Sequence, residues 1–433
     1  MGLPSIQGTS WRARPRAHFS WIRDGLPLAV ILAVAFGALE WWAQHFWFFY
    51  DDWNFLLRER LGDETSVGGF FHLLFLPHNE HISVVPRLWF WAADALFGLS
   101  SYTPYVTASI VVHLATAVAG WVLLRQAGVD RFVSMLALVI MVFFGAGAEN
   151  IFWAFQVGFM GGLMFGLYAL VATNTAAGRR HRDIVGGALL IAAVLSSGTG
   201  IPMLIAVALA LFLRSGIRRA LVVAAPAVIV LLGARTFGGA GGAGLGSTRA
   251  AIDFAAEQLV YTVGAIFEWR TAGMLCFVAV AVIYLLTRYR QVGHEWVLGV
   301  LASAAMFALL TGISRSSGLA SPETMRYLWF QGMLLIPVLA FLVNGSARAR
   351  WIGRCGMLVI ALVALNFNLQ QMGNWTTSRP AGIAPNKALL LSFVANPAKL
   401  ATMPGDEQPD PVTSPQVTAK LFLEAIGRGD FNR

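Results

Sequence analysis

Charge is what this chain has least of. Only 12% of its 433 residues are Asp, Glu, Lys or Arg, about half the roughly 25% usual in soluble domains, which excludes an ordinary soluble enzyme. Lysine is nearly missing, with Lys387, Lys399 and Lys420 all near the C-terminal end. The two cysteines, Cys276 and Cys355, lie inside apolar runs; they can neither form a disulfide framework nor supply the about four ligands of a structural zinc site. What is abundant is apolar: 57% of residues are hydrophobic, beside a net charge of +9. A basic balance suits nucleic acid only on a water-soluble face, and these arginines stand between apolar runs, so membrane lipids are the expected partner and nucleic acid is not.

A hydrocarbon core about 30 Å thick takes roughly 20 apolar residues per helix. Eleven runs qualify, beginning near Leu26, Pro104, Phe132, Ile151, Ile184, Ile201, Ala220, Gly273, Trp296, Leu328 and Trp351. The first ends in Glu40-Trp41-Trp42 and an aromatic stretch to Tyr50 instead of a small-residue cleavage site, so it is expected to remain as a membrane anchor. Arginines cluster at 12–23, 125–131, 179–182, 214–219, 288–290 and 348–354, holding 17 of the 31 basic residues. Short arginine-rich loops stay in the cytoplasm. Eleven crossings put all six clusters inside provided that residues 81–99 do not cross. Seventeen of the 22 acids then lie outside, with Asp24, Asp130, Asp183 and Glu295 inside and Glu40 in the first helix. Residues 184–213 are split by Ser-Ser-Gly-Thr-Gly-Ile-Pro and read as two passes or one broken helix, the flanking arginines favouring two.

The expectation is an all-α polytopic membrane protein with about 11 transmembrane helices. It has a cytoplasmic N-terminal segment (1–25), a transmembrane domain (26–368) and a short extracytoplasmic tail (369–433). Outer loops are expected at about 50–103, 235–272 and 314–327. Residues 55–61 and 70–76 of the first loop suit interfacial helices. Residues 238–246 hold six glycines and no Lys-Ser/Thr of a phosphate loop, so they read as a mobile loop. The tail, proline-rich at 404–415, is expected to be weakly ordered and to end in a short helix at 418–426. No internal repeat stands out.

The strongest chemical signal is Phe48-Phe49-Tyr50-Asp51-Asp52-Trp53-Asn54, two adjacent carboxylates where the first helix emerges. Adjacent acids raise each other's proton affinity, which suits one to act as a general base; the bland alternative is an aromatic belt followed by a solvated acidic turn. His78-Asn79-Glu80-His81 follows Pro77 and precedes Pro86-Arg87. Its order is not a helical His-Glu-x-x-His zinc site, which leaves hydrogen bonding to sugar hydroxyls or phosphate against loop capping. Glu149-Asn150 with Gln156 offers an acid and two amides for one outer wall, or a helix cap. Glu323, Arg326 and Tyr327 end the third outer loop. Arg326, with Arg315 as a second candidate, offers a forked guanidinium to a lipid phosphate, the alternative being snorkelling to headgroups.

An acidic pair just outside the first helix, an interfacial first loop, about eleven passes and a late Arg-Tyr at an outer helix mouth together resemble integral-membrane glycosyltransferases of the GT-C fold. These include bacterial mannosyl-, arabinofuranosyl- and aminoarabinose transferases. The resemblance implies a polyprenyl-phosphate sugar donor and a glycan or glycolipid acceptor, used on the extracytoplasmic side of a bacterial plasma membrane, with inversion at the anomeric carbon. By the same resemblance Asp51 is the base, Asp52 orients it or contacts the sugar, and Arg326 stabilises the departing phosphate. No cofactor is implied, and a divalent metal is neither required nor excluded. The tail of about 65 residues departs from family members that carry a large carbohydrate-binding domain there. A lipid-linked saccharide flippase and a glycan polymerase or ligase are the competing readings.

Overall fold

A computed structural model describes residues 24–79, 81–174, 180–238, 247–267, 269–288, 294–318, 320–344 and 350–432. Among these there is no strand, and the single β-type pairing is a bridge between His78 and His81. Helix α1 (Leu26–Ala43) leads to an aromatic turn, a π-helical turn (Asn54–Arg58), α2 (Val67–Phe75) and α3 (Val84–Phe97). There follow α4 (Thr103–Gln126), α5 (Arg131–Val142), α6 (Ala148–Phe152), α7 (Val157–Thr173), α8 (Arg180–Ser196), α9 (Gly200–Ser215) and α10 (Ile217–Gly238). The rest comprises α11 (Thr248–Phe267), α12 (Arg270–Arg288), α13 (Glu295–Arg315), α14 (Met325–Val343), α15 (Arg350–Ala395), α16 (Pro397–Ala401) and α17 (Ala419–Arg428).

Local chemistry sets the boundaries. Pro27 and Pro104 stand in the first turns of α1 and α4, where a missing N–H costs nothing. Asp130 caps α5 by accepting the Phe132 N–H, and Gly429 at φ 75° ends α17 in left-handed backbone. In α7, Gly158, Gly162 and Gly166 recur every fourth residue and face Ser196, Thr199 and Met203, where an added Cβ would collide. Small residues at this spacing let helix backbones approach closely in a membrane, where packing and not water exclusion holds helices together.

Those contacts also fix direction. Gly158 lies by Ser196 and Gly186 by Thr173, so α8 runs antiparallel to α7, whereas Gly162 by Thr199 and Gly166 by Met203 make α9 run with α7. The residues 184–213 thus form a two-helix hairpin, not one broken helix.

Among the described residues, eight helices are long and apolar enough to cross a membrane, or nine if the pair 131–142 and 145–152, bent by 42°, is one span. The protein is therefore built as a polytopic membrane protein, and fewer than eleven of its described helices meet both the length and the apolarity a single pass needs. Helices α8 and α9 have 17 and 16 residues, short of the roughly 20 a bilayer takes. The run from Phe132 breaks at Phe143-Phe144, and that from Gly273 lies within α12. Conversely α11, expected in a loop, passes the length and apolarity test. Its first turn packs on Gly312 near the end of α13, while its last lines one groove with Met325 and Leu328 at the start of α14. Between those contacts its Thr262 donates to Gln331 of α14. Helix α3, at 14 residues, is too short to cross.

The two ends of the bundle differ in chemistry. At one, Asp24 meets Arg125 and Arg131, Asp130 meets Arg354, Asp183 meets Arg219 and Glu295 meets Arg214. These four acids are the ones the charge pattern put inside, each paired with an arginine of the basic clusters. The other end gathers the aromatic turn after α1, the start of α4, the α8–α9 turn and the start of α14.

The tail is the largest departure from expectation. Helix α15 continues 27 residues past Asn368 to Ala395, through Pro380 and Pro385. Interior prolines normally break a helix, but Arg379 packs on Phe49, Tyr50 and Trp375, Lys387 on Trp47, and Asn386 hydrogen-bonds Asp410 and Ser414. The terminal helix forms much as expected, α17 capped by Thr418. It buries Phe422 against Trp53, and Arg60, Asp94, Arg428 and Asp430 tie it to the first loop.

Candidate active site

Phe46, Trp47, Phe48 and Phe49 are at most 3% exposed, so the aromatic run after α1 is core and not a lipid-facing belt. At its end Tyr50 adopts φ 47°, a left-handed conformation that costs a non-glycine residue roughly 1–2 kcal/mol. Contacts from far away hold it there: its N–H donates to the Thr413 carbonyl at 2.9 Å, and Trp153 packs on its ring. The following turn sends the two acids in opposite directions.

Asp52 points inward and is 0% exposed. Its carboxylate accepts the N–H of Phe155 at 2.9 Å and of Phe49 at 3.2 Å, with the Tyr102 hydroxyl at 3.4 Å. Burial raises its proton affinity well above the ordinary carboxylate value, opposed by those two N–H donors. Both oxygens are occupied by the protein, so Asp52 ties three segments together and is not placed to contact a sugar.

Asp51 is 27% exposed. Its Oδ1 accepts from Gln416 Nε2 at 3.1 Å and lies 3.8 Å from His78 Nε2. The Asn54 amide lies 3.0 Å from His78 Nδ1. Burial raises the proton affinity of Asp51, while His78 and Arg326 pull it down and Glu59 pushes it up.

Arg326 is within electrostatic reach of Asp51 but is held by Glu149: its Nη1 donates to Oε1 at 2.9 Å and its backbone N–H to Oε2 at 3.2 Å. Its guanidinium also lies 5.3 Å from the ring of Tyr327. Sequence reading missed Arg379, whose guanidinium stands 5.0 Å from the rings of both Phe49 and Tyr50 and has no acidic partner among the described residues. The Trp375-x-x-x-Arg379 spacing was a usable signal, hidden by the expectation of a loose tail.

The other predicted residues scatter. Arg87 is buried, pairs with Glu59 and donates to the Leu76 carbonyl at 3.0 Å. It holds the first loop together, and burial lowers its proton affinity. Asn79, at φ 54°, turns the chain so that His78 and His81 pair through backbone while their rings diverge: His81 packs by Gly198 of the α8–α9 turn. Glu80 lies outside the described residues, as do 239–246 of the glycine-rich loop. Asn150 and Gln156 are buried, at 0% and 4% exposure, and form no outer wall. Arg315 ends α13, and Glu323 lines a separate groove of about 570 Å³ with Arg270, Gln371, Asn374, Trp375 and Ser378. Residues 55–57, expected at the membrane surface, are buried, whereas α2 exposes Val67 and Phe71.

No family model matches the chain, and no curated protein matches it. The fold and the site stand on their own chemistry.

Proposed function

We propose that the protein is an integral-membrane glycosyltransferase that moves a sugar from a polyprenyl-phosphate donor to an extracytoplasmic glycan or lipid acceptor. The observation that carries this reading is Asp51: a partly exposed carboxylate of raised proton affinity beside His78 and within electrostatic reach of Arg326, with Arg379 over the ring of the adjacent Tyr50. In the reaction Asp51 takes the proton of the acceptor hydroxyl. The oxygen attacks the anomeric carbon, the bond from that carbon to the phosphate oxygen breaks, and the electron pair leaves on the prenyl phosphate with inversion. Positive charge placed where the leaving phosphate gains charge lowers the barrier. Arg379 is the better source, because Glu149 already neutralises Arg326. Asp52 acts only by positioning Asp51.

The paired basic clusters support an orientation with their end, and the N-terminal segment, in the cytoplasm. The acid pair then faces outward, as in a bacterial plasma membrane. Ionisable groups gather at the two ends of the bundle, which favours transfer over a translocation path lined with charge.

Membranes holding the wild type or Asp51→Asn, at equal abundance, are incubated with labelled polyprenyl-phosphate sugars and a crude glycolipid extract. The wild type transfers one sugar and the variant loses at least about a hundredfold, the lower range for a general base. Undiminished transfer by Asp51→Asn refutes the base, and no donor consumption by the wild type refutes the transferase.

A further inference from the structure

The groove of about 570 Å³ lies beside the acid pair, not on it. It runs between α11, the start of α12, the start of α14 and α15, and its size falls within the roughly 300–1,000 Å³ of small-molecule sites. Its floor is apolar, with Ala146, Gly264, Ala265 and Phe367, and its rim carries Arg270, Glu323, Asn374 and Ser378. Trp375 and Tyr261 supply aromatic faces, and Arg270 stands 4.8 Å over the Tyr261 ring without an acidic partner among the described residues.

We propose that this groove binds a saccharide, the hydroxyl-bearing part of the acceptor. A sugar ring presents an apolar C–H face to an aromatic wall and hydroxyls that both donate and accept, matching amides, a carboxylate and a guanidinium at one rim. Two further groups select it over phosphate. Gln371 and Trp375, one helical turn apart, both line the groove, and Gln371 Oε1 and Trp375 Nε1 are shielded and have no hydrogen-bond partner, a cost of about 1–3 kcal/mol each. A small rotation brings each to an occupant, and a hydroxyl satisfies both the acceptor and the donor. Near neutral pH phosphate is an anion with one or two hydroxyls, fewer donors than a sugar, and it is repelled by Glu323. Trp375 also carries Arg379 on its ring at 5.3 Å, and Arg379 in turn covers Tyr50 beside Asp51, so a row of three side chains links the groove to the base.

Naming the sugar as acceptor rests on the transferase reading, whereas its binding does not. The full chain in lipid nanodiscs, without donor, is therefore tested by saturation-transfer NMR against methyl glucopyranoside, galactopyranoside, mannopyranoside and arabinofuranoside. At least one glycoside is expected to give signal with the wild type and equally with Asp51→Asn. The signal falls about tenfold, the equivalent of 1.4 kcal/mol, in Asn374→Trp, which fills the groove from an exposed helix position, and in Ser378→Ala with Asn374→Ala. Equal amounts of inorganic phosphate do not compete. The inference is overturned if no glycoside binds, if the groove variants bind as well as the wild type, or if phosphate displaces the sugar. Groove-dependent binding by a protein that never consumes donor would leave this inference standing and sink the transferase.

Discussion

Replacing Asp52 by Ala separates the two acids by their physics. The substitution strips the acceptors from the half-buried Phe155 N–H and the buried Phe49 N–H. A buried donor left unpaired costs about 1–3 kcal/mol, or about 2–6 kcal/mol for the pair. Relief from burying a carboxyl group offsets part of this, leaving a net loss of about 3 kcal/mol. Asp51→Ala removes a half-buried acceptor of one glutamine amide, a loss of about 0.5–1.5 kcal/mol. Denaturant unfolding in mixed micelles, followed by tryptophan fluorescence, measures both. The pH dependence adds a sign. Asp52 holds its proton more tightly when folded than the ordinary value of 3.8, so its contribution to stability is fullest below that value and falls as pH rises toward the folded pKa. The advantage of the wild type over non-titrating Asp52→Asn must therefore shrink as pH rises from about 4. Asp52→Ala within about 0.5 kcal/mol of wild type, a size typical of uncoupled surface changes, refutes the clamp. A gap that widens with pH refutes its protonation.

Two more predictions follow from the site end. In Gly145→Ala the new Cβ meets the Asn368 carbonyl and lies 2.8 Å from Gln371 Cβ, where the Gly145 N–H now donates to Asn368 Oδ1 at 2.7 Å. Overpacking of this kind costs about 1–3 kcal/mol, and heat-induced loss of the monodisperse peak in size exclusion should occur earlier; an unshifted profile would show that α15 yields freely. For activity, the rate must climb with pH as Asp51 loses its proton, at a pH above the ordinary carboxylate value because burial dominates. Arg326 opposes that shift, so Arg326→Gln moves the acid limb of kcat/KM upward, and an unmoved limb would show that Glu149 already screens it.

Part of this architecture was legible because it is local. Arginine clusters and apolar runs are read within a few residues, and the pairing of Asp24, Asp130, Asp183 and Glu295 with arginines at one end agrees with that reading. The adjacent acids drew attention to the right turn, but no spacing rule says that Asp51 faces out and Asp52 in; the left-handed Tyr50 and the backbone of residue 155 decide it. The long helix α15 was illegible because Pro380 and Pro385 are stop signals unless distant partners override them. Arg87 reads as a site residue from its neighbours Pro86 and His81, yet Glu59, 28 positions earlier, consumes its charge. The bent pair at 131–152 shows the same limit, since a run's composition does not reveal a 42° break.

Gln416 meets Asp51 across 365 positions of chain. At about 5–20 residues per second the ribosome makes Asp51 roughly 20–70 s before its partner. Through that interval the first helices can insert and pack, but Tyr50 lacks the Thr413 carbonyl that pins its backbone, and Asp51 lacks its lid. The segment that carries Thr413 and Gln416 must also reach the same side of the membrane as the first loop. The site is thus finished only once residues 413–416 have been made, and a chain halted before residue 413 holds a membrane-ready bundle with an unfinished centre.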